Sequence, residues 1–307
     1  MNEHSDASQS TSPSRMGERF IQAGLLTPAQ IEQISRLQAE EQLRFGEAAI
    51  KLGFLRQDQV LAVLNEQYNY ATALTSSTTL SPNLSIAHAP SSAEAEAVRK
   101  IRTALLGLIT ENQPFSIAIA SPRAGEGKSY LAASLAIAFS QSGQKTVLVN
   151  ADLRTASPDR LHGLAIAQES SRQPAALSSI LAGRSSLQEL PSVPGFPSLS
   201  VLDAGPLPPN PQELLNEPRL RNLILALHQT YQIVILDTPP ARESDDASII
   251  VRQSDACLLV GRQDWSKLRE MESLRDALLN TGTQIAGVVY NAYGTDSRSW
   301  HRSVRLP

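Results

Sequence analysis

Residues 115–139 constrain this chain more than any other stretch. Phe115 to Ala120 (FSIAIA) is an apolar run long enough for one buried strand. A loop of small residues follows and ends Gly125-Glu126-Gly127-Lys128-Ser129. An apolar pattern of helical period then runs through Leu131, Leu135, Ile137 and Phe139. Strand, glycine loop and helix in that order are the setting of a phosphate-binding loop. The main-chain N–H groups of such a loop converge on phosphate oxygens, and the helix start adds positive partial charge. On this reading Arg123, Ala124, Gly125, Glu126, Gly127, Lys128, Ser129 and Tyr130 contact a nucleotide. Lys128 reaches the β and γ phosphates, and the Ser129 hydroxyl holds Mg²⁺. The strict spacing wants a glycine six residues before the lysine, and Pro122 stands there.

From Phe115 onward, short apolar runs recur at 115–120, 146–149, 199–202, 233–236, 256–260 and 285–290, with helical stretches between most of them. That alternation predicts an α/β fold, a mostly parallel sheet with helices on both faces. Ligands on such sheets sit beyond the carboxyl ends of the strands. The second run ends Asn150-Ala151-Asp152-Leu153-Arg154, and strand alternation puts Asn150 and Asp152 on one side. The run 233–236 ends in Asp237, followed by Thr238-Pro239-Pro240. An apolar strand ending in Asp, in a sheet that also carries a phosphate loop, is the arrangement that orients Mg²⁺. Lys128, Asp152 and Asp237 are therefore the candidate catalytic groups, and Ser129, Asp152 and Asp237 the candidate metal ligands.

The rest of the chain divides around this domain. At 307 residues there is room for one large and one small domain. A net charge of −3 gives no argument for nucleic acid as a partner. The single cysteine, Cys257, excludes an internal disulfide framework and reads as a small buried side chain. Residues 1–13 are polar and read as a disordered tail rather than a secretory signal. No run approaches the roughly 18 apolar residues of a membrane span. A cytoplasmic protein, or one held at a membrane by something else, is expected.

Residues 14–70 hold an internal repeat at an offset of 29 residues: Arg15-Met16-Gly17-Glu18 recurs as Arg44-Phe45-Gly46-Glu47, Gly24-Leu25-Leu26 as Gly53-Phe54-Leu55, and Ile31, Ile34 and Gln38 as Val60, Val63 and Gln67. Two copies of helix, turn and helix predict a small all-α module. The module resembles the N-terminal domain of type II secretion and type IV pilus ATPases. That resemblance implies cyclic di-GMP, or a protein partner, as its ligand. The same glycines and apolar positions also serve a folded hairpin pair with no ligand. Residues 71–92, rich in Ser, Thr, Ala and Pro, are expected to be a linker. A helix from Ala93 to about Ile109 carries Glu96, Arg99 and Arg102 near one face. Residues 93–293 make the large domain. Residues 294–307, with Arg298, Trp300, Arg302 and Arg305, read as a solvated basic tail.

Taken together, Ser121 to Ser129, Val147 to Arg154, Leu236 to Pro240 and Gly205-Pro-Leu-Pro-Pro-Asn-Pro-Gln-Glu-Leu-Leu215 resemble the bacterial tyrosine kinases of capsule and exopolysaccharide synthesis. Within that family the chain is most similar to the chain-length-determinant-associated kinase of exopolysaccharide operons. The resemblance spans 93–292. It implies a P-loop NTPase fold, ATP with Mg²⁺, and tyrosine phosphorylation. It also implies activation in trans by a membrane chain-length-determinant protein, a place at the inner membrane through that partner, and a homo-oligomeric ring packed through Glu96, Arg99 and Arg102. In Gly205–Leu215, Asn210 is expected to cap a helix that Pro211 opens, with Glu213 at its third position.

Two departures set up an alternative. The family's second motif carries two Asp, the first implied to take the tyrosine proton, and Asn150 stands in its place; an amide is no base at neutral pH. The family's C-terminal tyrosine cluster is reduced here to Tyr290 and Tyr293. These departures favour a pseudokinase, an ATP-gated oligomeric scaffold without transfer. A third reading is a partitioning or positioning ATPase of the same superfamily. Such an ATPase would require a second loop lysine, where this chain has Arg123.

Overall fold

The computed structural model describes residues 14–56, 59–60, 63, 80–110, 113–155, 160–164, 176–216, 218–292 and 304–305. The chain separates into two compact units, one up to Tyr70 and one from Ala71.

The first unit is helical. Helix α1 spans Ser14–Gln22, α2 Pro28–Glu41 and α3 Phe45–Lys51. Thr27 starts α2 with a reciprocal cap, since its hydroxyl accepts the Gln30 N–H while the Gln30 side chain accepts the Thr27 N–H at 2.8 Å. Glu47 accepts the Arg44 N–H in the same way at 2.9 Å. The 29-residue repeat is also a repeat in space. Leu25 N–H bonds to the Phe20 carbonyl, and Phe54 N–H to the Ala49 carbonyl. A Cβ on Gly17 would meet Ile31 at 3.0 Å, and one on Gly46 would meet Val60 at 2.7 Å. Both glycines therefore let one helix approach the next. Phe20, Ile34, Phe45, Leu55 and Val60 are buried together, with the Phe20 and Phe45 rings stacked. Gln67 and residues 1–13 lie outside the described residues.

The second unit is built on an eight-stranded sheet of order β3-β4-β2-β5-β1-β6-β7-β8. Its strands are β1 Phe115–Ala120, β2 Thr146–Asn150, β3 Ser192–Val193, β4 Phe196–Leu202, β5 Ile233–Asp237, β6 Ala256–Arg262, β7 Ile285–Asn291 and β8 Val304–Arg305. The six inner strands are parallel, and β3 and β8 pair antiparallel at the edges. The period of two is visible in the packing. Ile117, Ile119, Leu148, Ile233 and Ile235 enter one core, while Ala118, Ala120, Val147, Val149, Val234 and Leu236 enter the core on the opposite face. The first face is covered by α4 Ser85–His88, α5 Ala93–Leu106 and α6 Lys128–Gln141. The second is covered by α7 Leu177–Leu181, α8 Pro211–Leu215, α9 Arg219–Leu227, α10 Asp246–Val251 and α11 Leu268–Leu279. Helix α6 is buried from Leu131 to Ser140, because it lies between the sheet and α5 and so is apolar on nearly every side.

Three expectations need correction. The stretch 71–92 is not all linker: Leu80, Leu84, Ile86 and Ala87 are buried in the first core, and 85–88 form α4. The end of the basic tail is not simply solvated, since Val304 and Arg305 pair with Val289 and Val288; Tyr293, Arg298, Trp300 and Arg302 lie outside the described residues. Asn210 does not cap α8 through its side chain. Its amide donates instead to the Glu213 carboxylate at 2.6 Å.

Candidate functional site

Strand β1 stops at Ala120 at the centre of the sheet, and the chain turns through 121–127 into α6. The turn depends on Gly127, whose φ of +101° is left-handed. A Cβ there would sit 2.4 Å from Asn291 Nδ2, which itself donates to the Glu126 carbonyl at 3.0 Å. A Gly127→Ala variant is expected to lose about 1–3 kcal/mol through the strained backbone. Thermal unfolding beside a nucleotide titration checks this; an unshifted midpoint with unchanged affinity would contradict it.

The loop is gripped from outside. The buried Glu126 carboxylate accepts the Arg123 N–H at 2.6 Å and the Ser266 hydroxyl. Arg123 in turn gives a forked pair of bonds to Glu270 on α11, at 2.5 and 2.6 Å, and Arg242 shares that carboxylate at 2.6 Å. Glu270 is held below the usual carboxylate range chiefly by its bond to Arg123. Arg262 donates to the Gly125 carbonyl at 3.1 Å, and the Trp265 indole to the Ala124 carbonyl at 3.3 Å. The carbonyls of Ala124, Gly125 and Glu126 thus point to protein donors on β6, β7 and the turn after β6. Tyr130, in the first turn of α6, sets its ring edge-on to His162.

Two charged groups, Lys128 and Asp237, are buried under the loop. Lys128 is 6% exposed, and its ammonium donates to the Arg123 carbonyl at 3.3 Å. Burial lowers its pKa, against the opposing pull of Asp237, Glu126, Asp152 and Glu243. Asp237, at the end of β5, is 3% exposed. Burial pushes its carboxyl up to about 6, although the Ser129 hydroxyl and the Lys128 ammonium pull the other way. Its Oδ1 has no hydrogen-bond partner among the described residues. An orphaned buried carboxylate oxygen beside a serine hydroxyl suits a hard cation. Among the described residues no group of three or more His, Cys, Asp or Glu could hold a metal by itself. The orphaned Asp237 Oδ1 beside the Ser129 hydroxyl fits Mg²⁺, which uses few protein ligands and completes its shell with phosphate and water.

Strand β2 lies beside β5, with Asn150 in register with Asp237. Asp152 Oδ1 accepts the N–H groups of Arg154 and Thr155, each at 3.0 Å, which fixes the turn after the strand. Arg154 makes a forked pair of bonds to the fully buried Asp246 at 2.7 and 3.0 Å, so this motif is tied to α10. Asn150 is 2% exposed; its oxygen accepts the Asp152 N–H at 3.3 Å and its amide donates to Asp203 at 2.9 Å. An Asn150→Asp variant would place two carboxylates at that distance. It is expected to lose about 1–3 kcal/mol at pH 7.5 and to recover part of it by pH 5, as one of the pair takes up a proton. Melting curves at the two pH values test this, and equal losses at both would refute it.

The structure thus brings Arg123, Glu126, Lys128, Ser129, Asp152 and Asp237 to one end of the sheet. Glu96, Arg99 and Arg102 are elsewhere, on α5. Arg99 pairs with Glu96 at 2.9 Å, and Arg102 turns inward to the Ala138 carbonyl at 2.9 Å. Cys257 is buried on β6 and its thiol is pushed up to about 12, so it stays protonated.

Comparison with known proteins agrees with this geometry. The CobQ/CobB/MinD/ParA nucleotide binding domain family matches residues 117–304. The tyrosine-protein kinase YwqD of Bacillus subtilis strain 168 is 32% identical over 202 residues, 66% of this chain and 82% of that protein. The putative tyrosine-protein kinase CapB of Staphylococcus aureus is 28% identical over 221 residues, 72% of this chain and 93% of that protein. Among solved structures, the kinase domain of the Escherichia coli tyrosine kinase ETK superposes with a TM-score of 0.63 at 27% identity, covering 76% of this chain and 94% of that domain. The chain belongs to the CobQ/CobB/MinD/ParA nucleotide-binding family, and within it to the bacterial tyrosine kinases of capsule and exopolysaccharide synthesis.

Proposed function

We propose that this protein transfers the γ-phosphoryl group of ATP to tyrosine, and that it regulates exopolysaccharide polymerisation or export together with a membrane chain-length-determinant protein that activates it in trans. The observation that carries the catalytic part is the burial of both Lys128 and Asp237 beneath the loop, with one Asp237 oxygen left without a partner among the described residues. Lys128 binds the transferring phosphate. Ser129, Asp152 and Asp237 hold Mg²⁺, which when bound offsets phosphate charge. Main-chain N–H groups of 124–130 bind the remaining phosphate oxygens, and the grip of Glu270, Ser266 and Asn291 keeps the loop in one conformation. No described helix is long and apolar enough to cross a membrane, which fits attachment through a partner. Glu96 and Arg99 on α5 are the surface we assign to ring assembly.

Purified protein with radiolabelled ATP and Mg²⁺, assayed with and without the partner's cytoplasmic segment, tests the reading. Phosphotyrosine that appears or rises with the segment supports it. ATP binding without any phosphotyrosine would replace it with the nucleotide-gated scaffold that Asn150 favours.

A further inference from the structure

Phosphoryl transfer to a hydroxyl needs a group that can take the hydroxyl proton. Three carboxylates stand at the carboxyl ends of adjacent strands: Asp237 after β5, Asp152 after β2 and Asp203 after β4. Asp237 is buried against Lys128 and Ser129, and Asp152 is engaged by two backbone N–H groups. Asp203 is partly exposed, as Asp152 is, but its carboxylate is held by a single side-chain donor, the neutral Asn150 amide at 2.9 Å. Its main chain is also anchored, since the Asp203 carbonyl accepts the Leu177 N–H at 2.8 Å. The orientation of Asn150 follows from its partners. Its oxygen takes the Asp152 N–H, so its NH₂ faces Asp203.

We propose that Asp203 takes the proton of the acceptor hydroxyl and that Asn150 positions it. The negative charge of this pair lies on β4 rather than on β2. With strands about 4.8 Å apart, Asp203 stands roughly 10 Å from Asp237 with Asn150 on the strand between them, so the acceptor hydroxyl approaches from beyond the carboxyl ends of the strands. In the step, the hydroxyl proton passes to an Asp203 carboxylate oxygen. The hydroxyl oxygen forms its bond to the γ-phosphorus, the bond from that phosphorus to the β–γ bridging oxygen breaks, and ADP leaves with the electron pair. Asp203 then returns the proton to solvent. This inference rests on the kinase reading above.

The test uses the full chain with the partner segment and a glutamate–tyrosine copolymer as acceptor. It compares the wild type with Asp203→Asn and with a swapped double variant, Asn150→Asp with Asp203→Asn. The single variant replaces the carboxylate with an amide of the same shape. It is expected to lower kcat by about 10²–10⁴-fold. Its ATP dissociation constant and melting midpoint are expected to stay close to wild type. The swapped pair keeps an amide facing a carboxylate and is expected to recover at least tenfold. An Asp203→Asn protein with near-wild-type kcat overturns the role of Asp203 alone. A loss of kcat matched by loss of ATP affinity or of the folded state also overturns it, since the role would then be structural. A wild type with no Lys128-dependent transfer overturns both this inference and the kinase reading.

Discussion

Lys128→Ala is expected to remove phosphoryl transfer to within background, a loss of at least about 10³-fold, the scale set by deleting a cation that meets transition-state charge. The size of the effect follows from the surroundings. Lys128 is the ammonium buried under the loop, and its energy is set by opposition between burial and four carboxylates, Asp237, Glu126, Asp152 and Glu243. Arg123, the nearest cation in the loop, is committed to Glu270, and Arg154 to Asp246. Lys128→Arg is expected to rescue little, because a planar guanidinium does not fit a point-charge site with one carbonyl partner at 3.3 Å. The effect on folding should be small. Alanine removes the desolvation cost of the ammonium but also removes the cation facing Asp237. Steady-state transfer assayed beside a melting curve separates the two effects. An alanine variant that kept even a tenth of the wild-type rate would remove Lys128 from the chemistry.

The parts of this site that were legible in the sequence are those in which local pattern and tertiary packing agree. The run 115–120, the loop and the helix from Lys128 are contiguous, so the chain itself displays their order, and Asp237 is visible as the polar end of an apolar run. The grip on the loop was not legible. Arg262, Trp265 and Asn291 reach residues 137 to 165 positions earlier in the chain, and no local spacing announces contacts of that separation. Asp203 was hidden for a similar reason. A lone aspartate after a strand reads as a turn residue, and its meaning emerges only once β4 is seen to lie beside β2 and Asn150 to reach across. The stretch 71–92 was misread because Ser, Thr and Pro dominate its composition, while burial is decided by Leu80, Leu84 and Ile86, too few to form a period.

Asp237→Asn is expected to separate stability from function, with opposite signs. The carboxyl titrates near 3.8 when unfolded and at about 6 when folded, so the folded state binds the proton more tightly. Stability therefore rises as pH falls through 6 toward 4, and above pH 6 the ionised carboxylate costs the nucleotide-free protein roughly 3 kcal/mol, at 1.36 kcal/mol per pKa unit. Asparagine removes that cost but takes away the anion facing Lys128, so a net gain of about 1–2 kcal/mol is expected at pH 7.5. That corresponds to a melting midpoint about 2–8 °C higher for a domain of this size. The gain should shrink at pH 5, where the wild-type carboxyl is largely protonated. With Mg²⁺ and ATP the order should reverse. A ligand at 100 times its dissociation constant adds about 2.7 kcal/mol to a protein that binds it. The asparagine variant, with a neutral amide where the cation needs a carboxylate, should show little of that shift. Four melting curves suffice: wild type and variant, each with and without MgATP at pH 7.5. A variant that is less stable than wild type without nucleotide, yet fully stabilised by MgATP, would mean that Asp237 is a structural carboxylate. The orphaned Oδ1 would then need another explanation. The reversed order would instead identify Asp237 as a group kept charged and buried at a cost to folding, because the charge is used only when the cation and the nucleotide arrive.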